Sequence, residues 1–159
     1  MPKYALITGA SSGIGRDMAR ELSRRGYALI LVARRRERLE ELKRTLPTPV
    51  TILPMDLSKE ENCRWLHASL QDKPIDILIN NAGFGVFGPF AESSLDKELE
   101  MLDTNIRAVH ILTKLFLQDF LKKDHGYILN TSSSAAFLPG PLLAGYYASK
   151  AYVLRLTEA

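Results

Sequence analysis

Tyr4-Ala5-Leu6-Ile7-Thr8-Gly9-Ala10-Ser11-Ser12-Gly13-Ile14-Gly15 begins as an apolar run and breaks into a glycine-rich turn. The run from Tyr4 to Ile7 predicts a strand buried in a parallel sheet. From Gly13 to Arg25 the chain carries Ile14, Met18, Ala19 and Leu22 at helical spacing, which predicts a helix stopped by Gly26. Strand, glycine turn and helix in that order set the reading of everything downstream.

Further strands are predicted at residues 27–32, 50–53, 75–79 and 127–130, each a short apolar run. Between them lie helical patterns. Residues 37–46 form a charged amphipathic helix closed by Pro47. Asp56 follows the third strand, and Ser58 is expected to cap the helix begun by Lys59-Glu60-Glu61. Asn80-Asn81-Ala82-Gly83 ends the fourth strand, and residues 84–90, rich in glycine and aromatics, read as loop. Ser94 or Asp96 is expected to cap the next helix. Residues 102–122 carry Asn105, Ile106, Val109, Leu112, Leu115 and Phe116 in one long helical pattern, and a final helix starts near Gly145. Strands alternating with helices imply right-handed crossovers and a parallel sheet. The expected fold is one α/β domain over residues 1–159, a Rossmann-type doubly wound sheet.

The chain has 159 residues, 46% hydrophobic and 25% charged, enough for one sizeable core. Its net charge of +3 is mild, and no basic stripe with interleaved aromatics argues for nucleic acid. A single cysteine, Cys63, excludes an internal disulfide framework and suits a reducing compartment. The start, Met1-Pro2-Lys3-Tyr4, runs straight into a strand without a signal-peptide pattern. No apolar run is long enough for a membrane span, so the cytoplasm is the expected location. His67, His110 and His125 lie far apart without metal-ligand spacing and read as structural or surface residues, so no metal is expected. Cys63 and Trp65 are expected to pack, and Arg16, Arg20, Arg24 and Arg25 to form a solvated helix face.

Gly9, Gly13 and Gly15 allow a tight turn, close approach of backbone to phosphate, and close packing of helix on strand. The helix start adds free N–H groups and a positive dipole end suited to a pyrophosphate. No Gly-Lys-Ser/Thr follows, so this is not the phosphate loop of nucleoside triphosphatases. At the end of the second strand an acid would bond ribose hydroxyls, whereas an arginine accommodates a 2′-phosphate. The chain has Ala33-Arg34-Arg35-Arg36 and no acid before Glu37. Arg34, closest to the strand, is the expected phosphate ligand, giving NADP(H) over NAD(H). A solvated basic helix start is the plainer alternative.

Tyr146 and Lys150 stand four apart in Tyr146-Tyr147-Ala148-Ser149-Lys150, on one face of a helix. A phenol beside a cation is a proton donor and acceptor suited to neutral pH. Upstream lies Asn130-Thr131-Ser132-Ser133-Ser134. Only Tyr146 of the adjacent tyrosines has the lysine four on, so Tyr147 is expected to pack.

Thr8-Gly-x-x-x-Gly-Ile-Gly15, Asp56, Asn80-Asn81-Ala82-Gly83, Asn105, Ser133 and Tyr146-x-x-x-Lys150, in this order and spacing, resemble the short-chain dehydrogenase/reductase family, in its classical NADP-preferring type. The resemblance runs from Thr8 to the last helix and implies roles. Gly9, Ser11, Ser12, Gly13, Ile14 and Gly15 would form the cofactor turn, with Ala82 and Gly83 beside it. Asp56 would bond the adenine amino group, with a backbone contact from Leu57. Asn81 would brace the central strand. Asn105 would sit at a kink in the long helix and hold a water against Lys150. Ser133 would bond the substrate carbonyl; among the three neighbouring serines the family spacing to Tyr146 favours it. Tyr146 would move the proton, and Lys150 would also bond the nicotinamide ribose.

The implied activity is an NADP(H)-dependent oxidoreductase acting on a small-molecule carbonyl or alcohol substrate, as a homodimer or homotetramer. Phe84, Val86, Phe87, Leu138 and Leu143 hint at an apolar pocket wall. Members of the family continue past the last helix with at least one more strand, a Pro-Gly turn and a substrate-covering loop, so the chain reads as shortened at its C-terminus. The competing expectation is therefore a catalytically incompetent nucleotide-binding or scaffold domain.

Overall fold

The computed structural model describes residues 3–159. Met1 and Pro2, read above as leading directly into a strand, lie outside the described residues. Five strands form one sheet in the order β3-β2-β1-β4-β5: β1 (Tyr4–Thr8), β2 (Ala28–Ala33), β3 (Val50–Pro54), β4 (Ile75–Asn80) and β5 (Tyr127–Asn130). All neighbours pair in parallel, with Ile7 opposite Leu31 on one side and Ile79 on the other. The order reverses between β1 and β4, and such a switch point opens a crevice at the carboxyl ends of the strands.

Side chains alternate across the sheet and feed two cores. Leu6, Ile30, Val32 and Leu78 pack with Cys63 and Leu66 of α3 (Glu60–Ala68) and with Leu112, Phe116 and Phe120 of α5 (Val109–Lys123). Ala5, Ile7, Leu29, Leu31 and Ile79 pack on the other face. Their partners are Ala19 of α1 (Gly13–Arg24) and Leu39 and Leu42 of α2 (Arg36–Arg44). Each fully buried leucine or isoleucine contributes about 1.5–3 kcal/mol by leaving water. β2 is buried along its whole length, as its uninterrupted Ala-Leu-Ile-Leu-Val-Ala run requires.

The long helical pattern divides. α4 (Leu95–Leu102) is capped by Ser94, whose hydroxyl accepts from the Lys97 N–H at 3.5 Å. It runs through a π-helical stretch, Asp103–Ala108, into α5. The apolar positions Val109, Leu112 and Phe116 are core residues. α6 (Ala144–Glu158) follows a 3₁₀ turn at Ser134–Phe137.

Two expectations are corrected. Ser58 does not cap α3; the N-cap position is Lys59, and the Ser58 N–H is taken by the Asp56 carboxylate at 3.0 Å. Trp65 does not pack: it is 55% exposed, because Cys63 and Leu66 hold the inward face of α3. Ile14, at the start of α1, is exposed and lines the cleft described below.

Candidate active site

A cleft of about 1020 Å³ opens over the carboxyl ends of all five strands. Its floor begins at the glycine turn. Gly9 and Gly13 adopt φ of +65° and +54°, a region that side-chain-bearing residues rarely enter. A Cβ on Gly9 would stand 2.8 Å from the Ala82 backbone, so β1 and the segment after β4 approach to a distance only glycine allows. Gly15 does not line the cleft. It lies behind it, where a Cβ would strike the Asn81 amide and the Gly9 carbonyl.

Thr8 and Asn81 tie these segments together. The Thr8 hydroxyl accepts from the N–H groups of Asn81 and Ala82, both at 3.0 Å. The Asn81 amide donates to the Thr8 and Gly9 carbonyls at 3.3 Å, and its oxygen accepts from the Thr131 hydroxyl at 3.3 Å. Asn81 thus braces the ends of β1, β4 and β5, and Thr8 is a bracing residue that the sequence reading did not single out.

The arginine run splits. Arg34 turns to α4, where its guanidinium donates to Glu100 at 2.7 Å and lies over the Phe84 ring at 5.9 Å. Arg35 turns back to the glycine turn and donates to the Ser11 and Ser12 hydroxyls at 3.2 and 3.1 Å. Arg35 was missed; as the N-cap of α2 it has extended backbone (φ −89°, ψ 96°), which throws its side chain off the helix. Across the cleft, Asp56 and Leu57 follow β3 and complete this end.

At the other end Tyr146, Lys150, Ser132 and Ser133 line the cleft together, and Tyr147 does not. The Tyr147 ring instead covers Gly140. Lys150 is buried; its ammonium donates to the Thr131 carbonyl at 2.9 Å and sits 5.7 Å from the Tyr146 ring centre. Burial pulls its pKa below the ordinary lysine value, because desolvation disfavours the charged form. Ser132 donates to the Lys150 carbonyl at 2.9 Å. Ser133 accepts from the Ala135 N–H at 3.1 Å, which leaves its own O–H for another acceptor.

Asn105 is fully buried behind this end, inside the π-helical stretch. Its amide nitrogen donates to the Phe84 carbonyl at 2.9 Å and the Ser149 hydroxyl at 3.0 Å, and its oxygen accepts from the Phe84 N–H at 3.1 Å. A π bulge widens one turn of a helix and is often found at functional sites; here it aims Asn105 at both the Phe84 loop and α6. Gly83 fits between: a Cβ there would meet Asn105 Oδ1 at 2.9 Å and Lys150 Nζ at 3.4 Å. Of the apolar wall expected from sequence, Phe84 and Leu143 line the cleft, whereas Phe87 and Leu138 stand exposed beside it. The Gly88 N–H donates to the Leu142 carbonyl at 2.9 Å and joins the two loops that carry these residues.

Elsewhere, His67 bonds the Asp119 carboxylate at 2.7 Å and packs edge-on against Phe116, pinning α3 to α5. Among the described residues no group of three His, Cys, Asp or Glu could hold a metal, and no helix is long and apolar enough to cross a membrane.

A parallel sheet of this order, with a glycine-turn cleft at its switch point, defines a Rossmann-type α/β domain. The family model for short chain dehydrogenases matches residues 3–159, and the chain belongs to that family. It is 34% identical to hydroxysteroid dehydrogenase-like protein 1 of Gallus gallus, over 95% of this chain and 48% of that protein. It is 35% identical to a very-long-chain 3-oxoacyl-CoA reductase of Anas platyrhynchos, over 94% of this chain and 51% of that one. Among solved structures it resembles a short-chain dehydrogenase from Sphingobium yanoikuyae in complex with NADPH. The TM-score is 0.91 at 34% identity, over 99% of this chain and 63% of that one. The chain thus spans about half the length of these curated relatives, and the C-terminal part of the solved chain has no counterpart in this sequence.

Proposed function

We propose that the cleft takes NADP(H) and that the protein transfers a hydride between the nicotinamide and a carbonyl or alcohol carbon. The observation that carries this is one cleft with Arg35, Ser11 and Ser12 at one end and Tyr146, Ser133 and Lys150 at the other. The donor set fits a 2′-phosphorylated dinucleotide: a guanidinium and two hydroxyls converge beside the glycine turn, and the end of β2 offers no carboxylate to ribose hydroxyls. Gly9, Gly13 and the start of α1 would hold the pyrophosphate. Ile14, Ala82 and Gly83 would flank it, Asp56 and Leu57 would take the adenine, and Lys150 would also bond the nicotinamide ribose. A relative solved with NADPH supports the assignment.

When bound, NADPH supplies the hydride; the protein supplies position and protons. Hydride arrival at a carbonyl carbon leaves charge on oxygen. The free Ser133 O–H donates to that oxygen, and Tyr146 delivers the proton that makes the alcohol. The Lys150 charge opposes the charge left on the Tyr146 oxygen. Asn105 fixes the Phe84 loop and Ser149, and so the rotation of the helix bearing both residues. Oxidation of an alcohol runs the same steps in reverse. Phe84, Leu143 and the exposed Phe87, Leu138 and Leu142 beside them favour a substrate whose carbonyl lies between apolar groups. Relatives named for hydroxysteroids and 3-oxoacyl-CoA support that class.

A homodimer through α5 and α6 fits the outward Leu117, Leu121 and Tyr152, and the buried free thiol of Cys63 fits the cytoplasm. The test is NADPH oxidation with a panel of ketones and aldehydes. Turnover is expected, falling about 100-fold or more in Tyr146→Phe and persisting in Tyr147→Phe. The reverse pattern would move the proton transfer to Tyr147. The second reading is a nucleotide-binding or scaffold domain without turnover. NADPH binding without turnover by this chain would select it.

A further inference from the structure

Three consecutive arginines at the end of β2 meet three different fates. Arg36 pairs with Glu40 within α2 at 3.9 Å, as i,i+4 partners do. Arg35 has no carboxylate partner among the described residues and lies on the Ser11 and Ser12 hydroxyls. Arg34, the residue nearest the strand, is held by Glu100 across the cleft mouth and stacks on Phe84. Both Arg34 and Arg35 line the cleft; Arg34 is paired with an acid there, and among the described residues Arg35 is not.

We infer that Glu100 is a cofactor-specificity residue, which withholds Arg34 from the 2′-phosphate by pairing with it on α4. This rests on the NADP(H) reading of the cleft. Glu100 lies far from Arg34 in sequence, on an element that supplies none of the glycine turn or the end of β2. The pair is largely in water, with side chains 61% and 40% exposed, so it is weak and exchangeable. A phosphate dianion competes with one carboxylate for the same guanidinium and must displace it to gain a second bidentate partner. Discrimination between NADP(H) and NAD(H) therefore rests on Arg35 and is smaller than the arginine run allows. NAD(H) carries no phosphate at this place, so its binding is indifferent to Glu100.

The experiment is calorimetric titration of NADPH and NADH into the wild type, Glu100→Gln, Arg34→Ala and the double variant. Glu100→Gln is expected to tighten NADPH by about twofold to fivefold, the upper range of one exposed ion pair, with NADH within about 1.5-fold. In the Arg34→Ala background the same change is expected to give no gain, the signature of coupled partners. Unchanged or weakened NADPH binding in Glu100→Gln overturns the inference. So does an equal gain in the Arg34→Ala background, which would mean that the carboxylate acts on the phosphate directly. No NADPH binding by any of the four proteins overturns the cofactor reading and this inference with it, whereas wild-type binding with an unresponsive Glu100→Gln overturns this inference alone.

Discussion

The two ends of the cleft are made of different material. The glycine-turn end is main chain: Gly9 and Gly13 in left-handed conformations, and carbonyls and N–H groups tied by Thr8 and Asn81. It grows from β1 at the centre of the sheet, with a hydrogen-bonded strand on either side. The Tyr146 end is side chain: buried Asn105, Ser149 and Lys150, resting on β5 at the sheet's edge. A site built of backbone is broken by adding an atom. A site built of buried polar side chains is broken by removing one.

Gly15→Val tests the first half of that contrast and carries the largest expected effect. The new side chain has the Asn81 amide and the Gly9 carbonyl in its place, and both belong to the brace. A loss of about 4 kcal/mol in urea unfolding, or failure to accumulate folded protein, is expected from overpacking against backbone. A midpoint close to wild type would show that α1 is not held against β1 as described.

Asn105→Ala tests the second half. It strands the Phe84 N–H and carbonyl, for an expected cost of about 2–3 kcal/mol. The loss should come with greater protease sensitivity in the Phe84 loop. A cost below about 0.5 kcal/mol would remove Asn105 from the account.

Lys150→Met sharpens the contrast through pH. Burial holds the folded pKa of Lys150 below its unfolded value, so between the two the unfolded chain binds more protons. Stability from this group therefore rises as pH climbs through that window, and is least once both states are protonated. Cys63 works the other way: burial pushes its thiol up to about 11, so the unfolded chain loses its proton first and stability falls with rising pH. In urea midpoints taken at about pH 8 and about pH 10, Lys150→Met should fall more steeply than wild type. Parallel changes would mean that the ammonium is not desolvated. At the small end, Trp65→Ala should shift stability by no more than about 0.5 kcal/mol, since the ring faces solvent on α3.

Apolar runs alternating with helical patterns, and the glycine turn, made the sheet legible from sequence, because strands buried on both faces and positive φ leave direct marks on residue choice. The π-helical stretch left none. An extra residue in one turn barely disturbs apolar spacing along residues 102–122, so the helix reads as continuous. At Ser58 the helix starts one residue later than expected, with Lys59 at the N-cap, and the Asp56 carboxylate takes the Ser58 N–H. The arginine run shows the limit most clearly. Arg34 and Arg35 differ by one position, but one leaves the end of a strand and the other a helix N-cap, and a partner remote in sequence, Glu100, settles where Arg34 goes. Pairings of that kind are not written in local sequence.

The proposed function rests on Arg35, Ser11 and Ser12 making the glycine-turn end a site for a 2′-phosphorylated dinucleotide. The direct measurement is calorimetric binding of NADPH and NADH to the wild type and to Arg35→Ala. NADPH is expected to bind about tenfold tighter than NADH in the wild type, and Arg35→Ala to lose that difference through weaker NADPH binding with little change for NADH. Equal affinities in the wild type, or an Arg35→Ala variant that still prefers NADPH, would contradict it.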